Sequence, residues 1–439
     1  MKAGRKKESR RISVGSGYVH YYDIATGILD IRPIGKVYGI PNFYQDIRNS
    51  ENINDLEEKL ANLEGQASHI IVKLHKELPC GIFTLKRGPL DLLRKFLFVM
   101  HYRNTLCSSA YFQVDHPENA RARQWIECFM RAHGIQSAVE TWLHFLRYYL
   151  DTSHSDIMRD GMALVEKYGV KGLRKMLTNS HIPPDLENYP AFTYLCQAGG
   201  YFLSIWEAAE GEEFILTHNA FGLWEGLAGG CPGLHRIFVI SPRVALVLRS
   251  GLLRPESKCP INQSLFHSSL LGVKLAPATP MYVSGVGSFP INSVESAMAY
   301  CHSKSSPEAA DDSFVFQITK LSRHQTLELN SVVLASVKKT GSLTFMSRES
   351  MLRTALAFRT SRIHLPESDL LGPLIEDLTT TTGCSETLCP PLQSQAAGPD
   401  EDIDALVLRC DALCASQCNL GDAAGHPSTH SNGDVHVTY

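Results

Sequence analysis

Long apolar runs are the first thing this chain lacks. Its longest stretches, such as Leu143–Leu150 and Val244–Leu248, fall far short of the roughly 18 to 20 residues that cross a bilayer, so no transmembrane helix is expected. An excess of one charge is also missing: 42 basic and 45 acidic residues leave a formal charge of -3. No global field therefore favours nucleic acid or an anionic membrane, and the partner stays unknown. The basic start (Lys2, Arg5, Lys6, Lys7, Arg10, Arg11) has no apolar segment behind it, so no secretory signal is expected there. Residues 1–17 read as a solvated basic start, and a cytoplasmic or nuclear protein is expected.

Paired cysteines are scarce. Of the 12 cysteines, Cys80, Cys107, Cys128, Cys196, Cys231, Cys259 and Cys301 are scattered singly, as suits free thiols in a reducing compartment. The four-residue spacing of Cys410, Cys414 and Cys418 would put all three on one helical face, but zinc wants a fourth ligand and tighter pairs. With only His426 or His430 to complete a site, no metal is assigned.

Enzyme signatures are absent too. The sequence carries no dinucleotide fingerprint after a strand, no phosphate-loop lysine and no His-Glu-x-x-His helix. Gly285-Val286-Gly287 and Gly229-Gly230-Cys231-Pro232-Gly233 lack the continuation those motifs need. Ser284 lacks the preceding glycine of a hydrolase elbow. The cofactor stays unknown.

What is present is a globular composition, 44% hydrophobic, 20% charged and 9% aromatic. A chain of 439 residues exceeds what one core usually fills, which points to a large domain with appendages or two fused parts. Tyr18–Ile24 and Ile28–Ile34 are β-rich runs around Ala25-Thr26-Gly27, a hairpin. Asn52 is a candidate N-cap for a helix striped by Ile53, Leu56, Leu60, Leu63, Ala67, Ile70 and Leu74. Core is the favoured role of that stripe; self-association through helix 53–74 is the competing one. Pro89 opens a helix with Leu90, Leu93, Leu97 and Met100 inward and Arg94, Lys95 and Arg103 on its wet side.

Further helices are expected at about 119–133, 137–150, 155–167 and 170–179, with Trp125, Phe129, Trp142, Phe145 and Tyr149 as bundle core. Tyr201–Ala208 and Glu213–Thr217 read as a second hairpin. His235–Ile240, Val244–Leu248 and Phe314–Thr319 add strands, and 327–338 and 347–358 return to helical spacing. The fold class is α+β: a helical part at about 50–206 packed with a mostly antiparallel sheet at about 200–360, in one domain over 18–372. Glu213–Thr217, Phe238–Ser241 and Phe314–Thr319 are expected in one sheet. Residues 373–439 read as a disordered tail.

Three blocks carry a resemblance. Phe214-Ile215-Leu216-Thr217-His218-Asn219-Ala220-Phe221-Gly222-Leu223-Trp224-Glu225-Gly226, the Phe238–Ser250 segment around Ile240-Ser241-Pro242, and Phe314–Leu321 leading to Leu329-Asn330 resemble the fungal branch of the family known as domain of unknown function 4238. Tyr38-Gly39, Asn42–Asp46, Leu63-Glu64 and Phe96–Arg103 extend the likeness over about 18–360. Members commonly begin with a His-His-x-Ile-Pro-type segment, and nothing like it precedes Tyr18. Many also place an aspartate where His218-Asn219 stand here.

These departures make a non-catalytic or degenerate intracellular binding protein the leading expectation. The rival is a hydrolase, phosphodiesterase- or nuclease-like, at the Thr217–Gly226 loop, with His218 and Glu225 as acid–base groups. The candidate site residues are Thr217, His218, Asn219, Glu225, Ser241, Arg243, Arg249 and Asn330. Thr217, Asn219 and Glu225 are expected to face one cavity lined by Arg243 or Arg249.

Overall fold

The computed structural model describes residues 17–38, 52–103, 110–120, 122–176, 187–218, 220–229, 231–254, 263–281, 308–337, 340–361 and 370–382. The cysteine triplet at 410–418 and the chain from 383 onward lie outside the described residues.

Strands β4 (Tyr201–Glu207), β7 (Cys231–Val239) and β8 (Val244–Ser250) are the centre of the molecule. They are short, rich in Val, Leu, Ile and Phe, and buried on both sides, the pattern of a sheet with both faces covered. Around them an eight-stranded sheet forms in the order β10 (Thr279–Met281), β11 (Ser313–Lys320), β4, β8, β7, β6 (Leu223–Ala228), β9 (Phe266–His267), with β3 (Ile82–Lys86) also on β11. All its pairings are antiparallel except β11 with β4. Because side chains alternate, Leu203, Ile205, Phe238, Val244 and Leu246 enter one core cluster, and Trp206, Ile237, Val239, Ala245 and Val247 enter another.

The first face is covered by helices. These are α1 (Asp55–Glu77), α2 (Arg87–Tyr102), α3 (Arg123–Ala132), α4 (Ala138–Asp151), α5 (His154–Met176) and α6 (Tyr189–Gly199). Leu56, Leu60, Leu63, Ala67, Ile70 and Leu74 of α1 are all buried within the chain, so a coiled coil through this stripe would have to open the core. Asn54, not Asn52, precedes the helix, and Ile53 is exposed. Ser137 caps α4 by accepting the Glu140 N–H. The two helices expected at 155–167 and 170–179 are the two parts of α5, broken at Gly169, whose φ of 64° and ψ of 160° no helix interior holds.

The second face carries α7 (Arg323–Ala335), α8 (Arg348–Thr360), α9 (Gly372–Thr382) and a four-stranded sheet, β2 (Ile28–Pro33), β1 (Tyr18–Asp23), β12 (Ser342–Phe345), β5 (Leu216–Thr217). The α+β class and the Tyr18 hairpin stand as expected. The one-sheet expectation does not: β5 pairs with β12, away from β7 and β11, and β4 pairs with β8 and β11 instead of forming a hairpin toward Thr217. The reason is the Ala209–Ile215 segment, whose Ala209, Glu213 and Ile215 N–H groups donate to the Thr326, Ser350 and Asn330 side chains on helices. The tail expectation also begins too early, since α9 buries Leu374, Ile375 and Leu378.

That crossing segment joins α7 and α8 to the main sheet. Asn330 accepts the Ile215 N–H at 3.2 Å and donates to the Glu213 carbonyl at 2.8 Å and to Thr354 Oγ1 at 3.1 Å. Glu213 accepts the N–H groups of Met346 and Ser347 at 2.7 and 2.8 Å, at the entry to α8. Glu212 takes Arg323 Nε at 2.8 Å, Arg353 Nε at 2.7 Å and Ser350 Oγ at 2.9 Å. Burial pushes the Glu213 carboxyl up to about 7, against the pull of its two N–H donors.

Two outcomes follow from this joint. Asn330→Ala leaves buried donors and acceptors unmet and should cost about 2–4 kcal/mol in urea unfolding. Glu213 keeps a proton in the folded state that the unfolded chain loses near the ordinary glutamate value of 4.5. Its contribution is therefore largest below about 4.5 and declines as pH rises toward about 7. Unfolding of wild type and Glu213→Gln across that range should show wild type losing ground with rising pH; parallel curves would refute the assignment.

Candidate functional site

The structure distributes the residues singled out in the sequence over several places. Thr217 ends β5, buried beside β12, and His218 Nδ1 accepts the Ser342 N–H at 3.3 Å. Asn219 lies outside the described residues. Ser241 Oγ accepts the Arg243 and Val244 N–H groups at 3.2 and 3.1 Å, closing the β7–β8 turn. Arg243 pairs with Glu207 at 2.8 Å and donates to the carbonyls of Ala209 and Glu212. Asn330 belongs to the α7–α8 joint.

Glu225 and Arg249 do lie near one another. The register aligns Glu225 with His235 and His235 with Arg249, placing all three side chains on the same face of the eight-stranded sheet. Glu225 Oε2 lies 2.8 Å from His235 Nδ1 and accepts Ser268 Oγ at 2.8 Å, while Oε1 accepts the Ser269 N–H at 3.2 Å. Arg249 donates to the carbonyls of Val273 and Lys274. Burial lowers the His235 pKa and pushes Arg249 down to about 10, while the Glu225 charge works the other way on both. A bulge at Gly226, φ 78°, lets the 268 loop close on β6: a Cβ there would meet Ser268 Cβ at 2.8 Å. The bonds of this cluster hold the 268–274 loop on the sheet. Thr217 and Glu225 sit in different sheets, and neither lines the cavity described below.

On the opposite face, against the helices, is a different arrangement. Alternation sends Trp224, Arg236 and Leu248 there, one register step from Glu225, His235 and Arg249. Arg236 is 1% exposed. Its guanidinium stands 4.6 Å from the Trp224 ring centre and 5.6 Å from that of Phe238. Nε donates to the Gly222 carbonyl at 3.4 Å, and Nη1 donates to Gln197 Oε1. Gly222, at φ 83°, packs on His101, where a Cβ would lie 2.7 Å from the ring nitrogen Nδ1. Burial, and then the Arg236 charge, hold the His101 pKa well below its ordinary value, so this imidazole is neutral.

Arg94 reaches the same place from α2. The helical pattern put it on the wet side with Lys95; instead Arg94 is 6% exposed, and Lys95 caps the end of α4 through the carbonyls of Leu150 and Thr152. Arg94, Phe98, Tyr194, Gln197, Ala198, Tyr201, Arg236 and Leu248 line one cavity of about 320 Å³, counting its open mouth. None of the eight lining residues is acidic. Phe98 and Tyr194 meet edge to face at 4.5 Å.

Behind the wall, His154 Nδ1 lies 2.7 Å from Tyr194 Oη, and His154 Nε2 lies 3.6 Å from Asp91. Burial lowers the His154 pKa to about 4, against Asp91, which raises it. Tyr201 Oη donates to the Gly233 carbonyl at 2.9 Å. Sequence reasoning missed Arg94, Tyr194, Gln197, Tyr201 and Arg236. One signal was readable: Arg236 interrupts the apolar parity of a strand whose neighbours are all core residues. Nothing local marks Arg94, because an arginine one step off an apolar stripe reads as solvated.

Among the described residues no helix is long and apolar enough to cross a membrane, and no cluster of three His, Cys, Asp or Glu could hold a metal. No curated protein and no solved structure matches the chain. A family model described as protein of unknown function, DUF4238, matches residues 13–339, and the chain belongs to that family.

Proposed function

We propose that this protein binds a small anionic ligand in the cavity between α2, α6 and β7. The observation that carries the reading is the pair of arginines, Arg94 and Arg236, buried on the walls of one cavity whose lining contains no carboxylate. A guanidinium stays charged at any physiological pH, and keeping it out of water costs several kcal/mol unless an anion or a dense set of acceptors answers it. Asp91, one turn before Arg94, acts with it on Tyr194: the Asp91 charge raises that hydroxyl's pKa and the Arg94 charge lowers it. Two buried guanidiniums on the walls of one cavity give it a positive potential that would favour an anion entering through the mouth.

Binding is favoured over hydrolysis at the Thr217–Gly226 loop. His218 is engaged with the β12 backbone, Glu225 with the 268 loop, and neither lines the arginine cavity. Tyr194 and Tyr201 are held in place by half-buried hydrogen bonds, so the walls are set before any ligand arrives.

Titration with inorganic phosphate, followed by thermal shift and calorimetry, tests the reading. Wild type should bind, Arg236→Gln and Arg94→Gln should each weaken binding at least about tenfold, and Arg159→Gln, on an exposed helix face, should not. Equal binding by the Arg94 and Arg236 variants, with folding verified by circular dichroism, would exclude the cavity as the site.

A further inference from the structure

We infer that the sheet face beneath residues 268–274, on the far side from the arginine cavity, is a second binding site, one that encloses a water molecule tying Trp206, His235 and Arg249 together. It stands apart from anion binding, since none of these residues lines the arginine cavity.

Strand register gathers the groups. Arg249 lies opposite Phe202, Val247 opposite Ser204 and Ala245 opposite Trp206, so Arg249 and Trp206 flank the Ser204 position on one face. The two long side chains lean toward each other across it, with the Arg249 guanidinium 5.4 Å from the Trp206 ring centre. His235, opposite Arg249 on β7, has its ring centre 6.0 Å from that of Trp206. Ser204 is smaller than Val247 and Ile237, which share its row, and rises least from the sheet.

Each of the four side chains carries a buried polar atom with no hydrogen-bonding partner among the described residues: Ser204 Oγ, Trp206 Nε1, His235 Nε2 and Arg249 Nε. All four residues are at most 1% exposed. Buried polar groups in folded proteins are nearly always bonded, to protein or to ordered water, so four exceptions on one patch call for a shared partner. The separations are too long for direct bonds and short enough for one molecule with bonds of about 2.7–3.2 Å on each side.

The chemistry of these atoms selects water. The indole N–H and the Arg249 Nε–H can only donate. His235 Nδ1 lies 2.8 Å from Glu225 Oε2, a carboxylate oxygen that can only accept, so Nδ1 carries a hydrogen. Burial lowers the pKa of this ring and keeps it neutral, which leaves Nε2 an acceptor. A water takes the two donors and gives its hydrogens to Nε2 and the Ser204 hydroxyl, within the two to four bonds that buried waters make. An anion would set lone pairs against Nε2, and a cation would face Arg249. The 268–274 loop closes the patch: Glu225 holds Ser268 and Ser269, Arg249 holds the Val273 and Lys274 carbonyls, and Leu270 and Val273 are buried.

Nuclear magnetic resonance of protein labelled with nitrogen-15 in its four tryptophans tests the site. The Trp206 indole N–H, identified by its loss in Trp206→Phe, should show a cross-relaxation peak at the water frequency with the sign of a long-lived contact. Trp142, whose Nε1–H donates to the Tyr102 carbonyl, should show none. Ser204→Val, which suits a strand and fills the space over the row, should abolish the Trp206 peak in protein whose folding is verified by circular dichroism. No water contact at Trp206 in wild type would overturn the inference, and so would a contact that survives in Ser204→Val. An anomalous peak among Trp206, His235 and Arg249 in crystals soaked with sodium bromide would make the guest an anion and overturn it as well; none of these outcomes bears on phosphate binding in the arginine cavity.

Discussion

A sheet covered on both faces is the constraint on which the molecule depends. Residues that follow one another along β7 must serve different sides, so Arg236 and His235 belong to separate neighbourhoods although they are adjacent in the chain. On one side His235, Glu225 and Arg249 fasten a loop. On the other, Arg236 is sealed beneath helices against Trp224. Polar groups this deep persist only where bonds or charges answer them, and the two faces answer in different ways. One spends its carboxylate and guanidinium on the backbone and side chains of residues 268–274, while the other leaves two guanidiniums on the wall of a cavity.

The helices were legible wherever an apolar stripe met a cap or a proline. The α1 stripe is the core stripe, Pro89 lies in the first turn of α2, and Ser137 caps α4. The hairpin at Tyr18 and the β7–β8 pair were legible because each joins two β-rich runs by a short turn. Glu213–Thr217 misled because an apolar run has the same composition whether or not its backbone pairs with a neighbour. Its Ile215 amide is taken by the Asn330 side chain, its Glu213 amide by Ser350 and its carboxylate by the start of α8, partners more than a hundred residues away. The strands β3, β5, β9, β10 and β12 are too short or too polar to stand out alone.

The site was legible only in part. The Phe214–Gly226 block does contribute, but through Gly222, which positions Arg236, and Trp224, which stacks on it, more than through the polar residues that drew attention. A carboxylate beside glycines has the look of chemistry, whereas a buried arginine in a strand looks like an irregularity. Burial is what separates the two, and burial is a property of the whole fold.

The pairing of β1 with β12 and of β3 with β11 bears on how the chain assembles. The first hairpin finds its partner strand only when residues 342–345 exist, and β3 waits for residues 313–320. During synthesis from the N-terminus, Tyr22, Phe83 and Leu85, all buried at the end, stay uncovered until most of the chain has emerged. Closing such long loops is slow compared with making helices, so the bundle of α1 to α6 can collapse well before either sheet is complete. The late-arriving segments then close both sheets from the far end of the chain, so neither sheet is complete until residues 313–345 have emerged.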